Sequence, residues 1–171
     1  RPGDILHMRN GKTIEVINTD AEGRLIMADA LAFASESKPD IICDVATLTG
    51  AAYVALGVEI GAVFSNNKVT LDSFLNSNND GFENYHSLPL EQSYKSQIKS
   101  NIADMKNSGG RFGGAITAAL LLEEFVDDLN WIHLDIAGPA RSRSSNSIYP
   151  EGGTGFGVLG YFNFLANEAN G

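Results

Sequence analysis

The sequence is poor in cysteine and in positive charge, and each scarcity excludes a class of function. Cys43 is the single cysteine among 171 residues, which excludes an internal disulfide framework and a cysteine zinc site. It lies in an apolar run, where we expect a small buried side chain rather than a nucleophile. Twelve Lys and Arg stand against 21 Asp and Glu, for a formal net charge of −9. This balance argues against a surface for nucleic acid or anionic membranes, because both favour clustered basic residues.

Long apolar segments are also missing. No uninterrupted apolar run is long enough to cross a bilayer, and no basic stretch followed by an apolar one marks a secretory signal. We therefore expect a cytoplasmic protein without a membrane partner. Residue 1 is Arg rather than Met, from which we expect a piece of a longer polypeptide. The length suffices for one domain with a sizeable core.

Short β-prone runs alternate with helical patterns along the chain, which predicts an α/β fold. We expect a mixed central sheet with helices on both faces, in three layers. Asn10 and Gly11 form a strong two-residue hairpin signal, and this hairpin is expected to give the sheet an antiparallel pair. The predicted strands are 4–8, 13–17, 41–46, 62–64 and 131–136. The predicted helices are 24–37, 51–56, 69–75, 90–98, 115–125 and 158–167, with loops at 76–84, 107–114 and 139–150.

The residues with the clearest chemical potential lie between the second strand and the first helix. Asp20, Glu22 and Arg24 occupy alternate positions there, and alternate side chains point the same way if the backbone is extended. Two carboxylates can hold a divalent metal ion or bridge two ions, and an arginine beside them can hold an anion or a developing oxyanion. The alternative is a helix start, with Asp20 as N-cap, Glu22 in the first turn and Arg24 in solvent. The spacing alone favours this alternative.

The octapeptide Asn18–Leu25, read as NTDAEGRL, resembles the signature of the leucine aminopeptidase (cytosol aminopeptidase) family. Other segments resemble that family in the same order: RPGD at 1–4, NGKT at 10–13, DVATLTGA at 44–51, GAITAA at 114–119 and HLDIAGP at 133–139. The resemblance covers nearly the whole chain and corresponds to the later part of the family's C-terminal catalytic domain. It implies that residues 1–171 are a partial catalytic domain, truncated at its N-terminal side, without the N-terminal domain. It also implies a mixed sheet between helical layers.

The resemblance implies roles for three residues of the octapeptide. Asp20 and Glu22 match ligands in a dinuclear zinc or manganese site. Arg24 matches an arginine that holds a bicarbonate, which is thought to accept the proton from the attacking water. An arginine suits this role because its fork binds planar oxyanions bidentately. The implied activity is two-metal-dependent removal of leucine-like N-terminal residues from peptides, by a homo-hexamer.

Substrate contacts are implied at two further places. Asn18 and Ala21 match positions that border the pocket for the residue after the scissile bond. Thr47, Leu48 and Gly50 match a substrate wall whose backbone groups meet the substrate or the bicarbonate. Position alone leaves the second place open, because ligands bind beyond the carboxyl ends of strands but a strand-to-helix turn capped by Thr49 would give the same pattern.

Several residues that the chemistry requires are not found in this sequence. The family's other metal-binding aspartates and its two functional lysines belong to upstream segments, and Lys12 and Lys38 do not match them. Asp44, Asp104 and Asp135 are the plausible internal substitutes, but none lies in a segment that resembles the other ligand motifs. We therefore expect this chain alone to be inactive.

Two other functions and one other metal pair remain open. Gly155, Gly157 and Gly160 form a G-x-G-x-x-G string, which would suit a dinucleotide-binding oxidoreductase. No clear strand precedes it, so we expect it to open the terminal helix instead. A non-enzymatic DNA-binding role is known within the family, and the acidic balance does not favour it. His133 and Asp135 share one strand face and could ligate a metal, although such a pair needs further ligands.

Overall fold

The computed structural model describes residues 1–79, 81–145 and 149–170. Within these residues the strands β1 to β9 are Ile5–His7, Thr13–Glu15, Ile41–Ala46, Ile60–Ser65, Asn84–Ser87, Met105–Lys106, Asn130–Asp135, Arg141–Ser142 and Gly152–Gly153. The helices α1 to α5 are Gly23–Ser35, Gly50–Leu56, Lys68–Ser77, Gly114–Glu123 and Val158–Asn170. Two 3-10 helices cover Thr19–Ala21 and Gln92–Ile98. The α/β class is confirmed.

The chain forms two compact units, each built from two segments. The first unit contains Arg1–Ile42 and Pro89–Trp131. The second contains Cys43–Leu88 and Ile132–Gly171. We predicted one domain from the sequence. Nothing in the composition of the sequence marks the points at which the chain passes from one unit to the other.

A three-stranded sheet in the order β1-β2-β6 belongs to the first unit. β1 and β2 pair antiparallel, with Ile5 opposite Glu15, and the Asn10-Gly11 turn between them places Gly11 at φ +87°. Glycine adopts this left-handed conformation without steric cost. β6 then pairs parallel with β2. The predicted hairpin is therefore present, but it belongs to this small sheet and not to the sheet that contains residues 41–46.

The core of the first unit lies around α1 and α4. α4 is apolar on nearly every side, and its buried residues run from Ala115 to Leu122, as expected for a helix surrounded by protein. Ser35, at the end of α1, shares its one hydroxyl proton between Leu31 O at 2.9 Å and Phe125 O at 3.2 Å. These bonds satisfy a buried hydroxyl and connect the end of α1 to the residues that follow α4.

Most residues of the mixed four-stranded sheet, whose order is β3-β7-β4-β5, belong to the second unit. β5 runs parallel to β4, whereas β7 runs antiparallel to it. The sheet is mixed because of β7, and not because of the predicted hairpin. β4 is buried along its centre, from Ala62 to Phe64. α2 and α3 pack on β4, and α5 packs on α3.

The predicted element boundaries agree with the structure over the longer elements. β3 and β7 match the predicted strands to within one residue, and the predicted helices overlap α1 to α5. β5 and the two-residue strands β6, β8 and β9 were not predicted. β5 begins at the end of the predicted 76–84 loop, and β8 lies inside the predicted 139–150 loop. Residues 80 and 146–148, which belong to these two predicted loops, lie outside the described residues.

A search of the described residues for a membrane-spanning segment finds no helix with the required length and apolar character.

Candidate functional site

The octapeptide Asn18–Leu25 forms a tight bend before α1. Asn18 is in the extended region, and its side-chain oxygen accepts a hydrogen bond from Asp20 N at 3.0 Å. Residues 19–21 form a 3-10 turn, and Glu22 has helical backbone angles, φ −73° and ψ −34°. The extended backbone that would point the side chains of Asp20, Glu22 and Arg24 the same way is therefore not adopted here. The alternative with Asp20 as N-cap is also wrong, because Asn18 caps the turn.

The bend leaves its two carboxylates in solvent and buries its arginine. Asp20 and Glu22 are exposed. Glu22 occupies the N-cap position of α1, but its side chain makes no capping hydrogen bond. Across the part of the chain that the structure describes, neither carboxylate accepts a hydrogen bond. Both oxygen pairs are therefore available to a ligand.

Arg24 lies in the first turn of α1 and is only 9 % exposed. Its Nη1 donates a hydrogen bond to Asn107 O at 3.0 Å. The solvated arginine of the helix-start interpretation is thus wrong. A guanidinium stays charged in any environment, and its electrostatic effect is stronger where water is excluded.

Asn107 is a site residue that the sequence did not reveal. It follows β6, it is fully buried, and its side-chain oxygen accepts hydrogen bonds from Ile17 N at 2.9 Å and Asn18 N at 3.2 Å. Its Nδ2 donates to Asn18 O at 2.7 Å and to Ala21 O at 3.4 Å. The only local signal was an amide at the start of a glycine-rich loop, which is a common pattern.

In the second unit, the turn Thr47–Gly50 connects β3 to α2. Thr49 caps α2, and its hydroxyl accepts a hydrogen bond from Ala52 N at 3.0 Å. The Asp135 carboxylate accepts hydrogen bonds from Leu48 N at 3.1 Å, Thr49 N at 3.3 Å and Thr49 Oγ1 at 2.6 Å. The Thr49 cap that the sequence left as one of two alternatives is therefore present. A buried carboxylate also fixes the main chain of the turn, at the carboxyl end of a sheet strand.

His133 and Asp135 do not form a metal pair. His133 is buried and its Nδ1 lies 2.5 Å from Asp44 Oδ1, whereas Asp135 is turned to the 47–50 turn. Asp104 accepts hydrogen bonds from Thr13 N and Thr13 Oγ1, both at 2.7 Å, and these bonds lower the pKa of Asp104. The three plausible internal substitutes for the missing metal ligands therefore already have protein partners. They are Asp44, Asp104 and Asp135.

The donor set fits part of a metal site. Among the described residues, no group of three or more His, Cys, Asp or Glu side chains converges on one point. Asp20 and Glu22 nevertheless offer two exposed hard-oxygen donors within three residues, which is the chemistry that divalent ions favour. A site for two ions requires more carboxylates than these two.

The glycine string at the start of α5 is already occupied. Glu83 is buried, and its carboxylate accepts hydrogen bonds from Gly157 N at 2.9 Å and Gly160 N at 2.7 Å. Tyr85 also donates its hydroxyl to this carboxylate, at 2.6 Å. In a dinucleotide fold these amides would meet a pyrophosphate. The observed carboxylate argues against that interpretation, and the string opens the terminal helix as expected.

Cys43 has the environment of a structural residue. Burial, followed by the nearby charge of Asp44, raises the pKa of its thiol to about 11. The thiolate is the reactive form of cysteine, so this residue is poorly suited to nucleophilic attack.

The chain thus combines an α/β scaffold with two exposed carboxylates and a buried arginine at one helix start. The chain belongs to the cytosol aminopeptidase family, since the model of that family's catalytic domain matches residues 1–160. The resemblance seen in the sequence is thereby confirmed.

Individual relatives give the same assignment. The probable cytosol aminopeptidase of Prochlorococcus marinus subsp. pastoris is 49 % identical over 168 residues, which are 98 % of this chain and 34 % of the relative. A solved mutant of tomato leucine aminopeptidase superposes with a TM-score of 0.92 at 44 % identity, over 98 % of this chain and 32 % of that one. The bottromycin maturation enzyme BotP gives a TM-score of 0.96 at 38 % identity, over 100 % and 38 % of the two chains. The chain spans about a third of the length of the curated relatives it matches.

Proposed function

We propose that the full-length protein, meaning the polypeptide as its gene encodes it, is a two-metal-dependent aminopeptidase. It removes leucine-like N-terminal residues from peptides. The observation that carries the proposal is the pair of exposed carboxylates of Asp20 and Glu22 beside the buried Arg24, in a chain that belongs to the cytosol aminopeptidase family. The family name also supports a cytoplasmic location.

Asp20 and Glu22 are the proposed metal ligands. They supply two negative charges and up to four oxygens, which suits zinc or manganese held jointly with carboxylates from outside this chain. The chemistry that such ions supply when bound is polarisation of the scissile carbonyl and a lowered pKa of water. The absence of competing hydrogen bonds to either carboxylate in the described residues supports this role.

Arg24 is the proposed catalytic residue. Its contact with Asn107 O fixes one end of the guanidinium, and its burial keeps the charge in a medium of low dielectric constant. A planar anion such as bicarbonate matches the fork of this side chain. Arg24 would hold that anion, and the anion would supply a proton acceptor at the site.

The peptide itself is proposed to contact main-chain groups. In the second unit these belong to Thr47, Leu48 and Gly50, whose turn is fixed by the Asp135 carboxylate. In the first unit Asn18 and Ala21 are proposed to border the pocket for the residue after the scissile bond. Backbone contacts suit an enzyme that must accept peptides of many sequences.

The metal assignment is tested by changing Glu22→Ala in the full-length protein. Removal of one ligand from a pair should abolish most bound metal and most turnover of a leucine anilide, with metal measured by elemental analysis. Glu36→Ala is the matched control, because Glu36 lies at the other end of the same helix and pairs with Arg9 at 2.6 Å. Normal metal content and rate in Glu22→Ala would refute the assignment.

The role of Arg24 is tested by Arg24→Ala in the same protein. We expect kcat to fall by roughly 10²-fold, as for loss of a positioned electrostatic or proton-transfer element, with metal content near normal. Arg24→Lys keeps the charge but not the planar fork, so it should recover only part of the rate. Loss of metal together with activity would show that Arg24 has a structural role instead.

The full-length protein is further proposed to form a hexamer, as other members of the family do. Light scattering measures this directly, and a monomer would contradict it. A dinucleotide-binding role is disfavoured by the carboxylate that occupies the glycine string, and a DNA-binding role is disfavoured by the net charge of −9.

A further inference from the structure

The Asn107 side chain uses its entire hydrogen-bonding capacity on the first half of the octapeptide and on Ile17, the residue before it. A neutral amide offers two donors and two acceptor lone pairs. Its oxygen accepts from Ile17 N and Asn18 N, and its nitrogen donates to Asn18 O and Ala21 O. Asn107 is 0 % exposed, so none of these bonds is shared with solvent.

The main chain of Asn107 connects the same segment to two other places. Its N–H donates to Glu15 O at 2.9 Å, which extends the pairing of β6 with β2. Its carbonyl accepts the hydrogen bond from Arg24 Nη1. One residue therefore contacts the end of a strand, the backbone on both sides of Asp20, and the guanidinium.

Without this residue the segment would have little to hold it. Ile17 is 41 % exposed and Asn18 is exposed, and the 3-10 turn after them is closed by Ala21 N donating to Asn18 O at 3.3 Å. Exposed backbone with few buried contacts opens easily. Catalytic and metal-binding groups, by contrast, must be held to about 0.5 Å by surrounding hydrogen bonds.

We propose that Asn107 is the positioning residue of this site, an inference that rests on the proposed function. It fixes the main chain that carries Asp20 and Glu22, and it sets the guanidinium of Arg24 in place. The side-chain hydrogen bonds of Asn107 all go to the main chain of residues 17–21, so its proposed effect on the site passes through Asp20, Glu22 and Arg24. Asparagine is required because Asp lacks the two donors, and Leu would remove the acceptor of Ile17 N and Asn18 N together with the donor to Asn18 O and Ala21 O.

The test is Asn107→Asp in the full-length protein, with zinc and manganese affinity and leucine anilide kinetics measured per folded molecule. The new carboxylate still accepts from Ile17 N and Asn18 N, but it places an oxygen against Asn18 O and Ala21 O. We expect metal affinity to fall by about 10- to 100-fold, the usual effect of losing a residue that orients metal ligands. kcat measured at saturating metal should also fall, because the octapeptide main chain that the new carboxylate displaces also carries Arg24.

Asn78→Asp is the matched control. Asn78 Nδ2 likewise donates to two backbone carbonyls, Phe74 O at 2.9 Å and Gly160 O at 3.2 Å, and neither belongs to the octapeptide. A structural role alone would lower the folded fraction of both variants and leave metal affinity per folded molecule unchanged. An Asn107→Asp protein with wild-type metal affinity and kcat would overturn the positioning role while leaving the proposed function intact. A wild-type protein that binds no metal and turns over no peptide would overturn both.

Hydrogen exchange on the wild-type protein gives a second measurement that does not depend on the folding of any variant. The amides of Ile17 and Asn18 should exchange far more slowly than those of an unstructured peptide, because a buried acceptor holds them. Exchange at the rate of an unstructured peptide would show that Asn107 does not hold the segment, and would overturn the inference.

Discussion

Glu124 shows how single residues in this chain combine burial with charge. Lys12 Nζ and Lys95 Nζ each approach a different oxygen of its carboxylate, both at 2.6 Å. Burial opposes ionisation of Glu124, but the hydrogen bonds from the two lysines outweigh it and lower the pKa of Glu124 from its ordinary value of 4.5. The carboxylate is therefore bound more tightly in the folded state than its neutral acid would be.

This pairing predicts a loss of stability in acid. Because the folded pKa of Glu124 lies below the unfolded one, its contribution is present above about pH 4.5 and is lost as the pH falls through the folded pKa. Glu124→Gln should lower the free energy of unfolding by about 1 kcal/mol at neutral pH. The free energy of unfolding of this variant should also fall less steeply than that of the wild type as the pH is lowered. Urea unfolding between pH 3 and 7 measures both effects.

The exposed Glu59→Gln serves as control, since the described residues show no ion pair for Glu59. Equal acid sensitivity of the Glu124→Gln and wild-type proteins would contradict the prediction.

At the scale of single residues, the sequence predicted which side chains form the candidate site but not the residue that holds them in position. Asp20, Glu22 and Arg24 stand together in one octapeptide and can be recognised as a string. Asn107 is 89 residues away from Asn18, and nothing local indicates that a loop amide will be buried there. The expected solvent exposure of Arg24 was wrong for the same reason, because its partner comes from a distant segment.

Among the elements, β7 and the turn before α2 illustrate a strand that organises a loop. The last residue of β7 is Asp135, which is 1 % exposed. Its Oδ1 accepts from Leu48 N, Thr49 N and Ala137 N, and its Oδ2 accepts from Thr49 Oγ1. The turn is thereby fixed by a carboxylate that belongs to another element.

Asp135→Asn should loosen this turn. In this variant an amide nitrogen replaces one carboxylate oxygen and faces a group that donated a hydrogen bond to that oxygen. Loss of a hydrogen bond to a buried group costs roughly 1–3 kcal/mol. We expect a lower thermal midpoint and, in the full-length protein, a higher KM for leucine anilide. Asp128→Asn is the control, because Asp128 is exposed after α4. An unchanged midpoint together with an unchanged KM would contradict the prediction.

The success of the sequence patterns also depended on element length. β3 was predicted from a continuous apolar run and is observed at Ile41–Ala46. β6 and β8 contain two residues each, which is too few to show any periodicity. Their pairing is decided by contacts with distant strands, so local patterns could not indicate them.

At the scale of the whole molecule, charge limits what this chain can do alone. Two divalent ions about 3.5–4 Å apart carry four positive charges, whereas Asp20 and Glu22 provide two negative ones. Asp44, Asp104 and Asp135 are each engaged elsewhere. The chain matches only 34 % of a curated relative, so the remaining ligands are sought outside these 171 residues.

We therefore expect the isolated 171-residue chain to show no turnover of leucine anilide when zinc or manganese is added. Calorimetric titration should detect at most one weakly bound ion, lost in Asp20→Ala. Turnover comparable to that of the full-length protein, abolished by Asp20→Ala in the isolated chain, would show that other residues complete the site.

Trp131 offers a simple optical probe of these molecules. It is the only tryptophan in the sequence, it lies in β7, and it is 0 % exposed. In the isolated 171-residue chain the tryptophan fluorescence therefore has a single origin, and the emission should shift to longer wavelength when the indole meets water. The Asp20→Ala variant of that chain keeps this residue, so one label-free spectrum per sample reports the folded fraction to which the bound metal is referred.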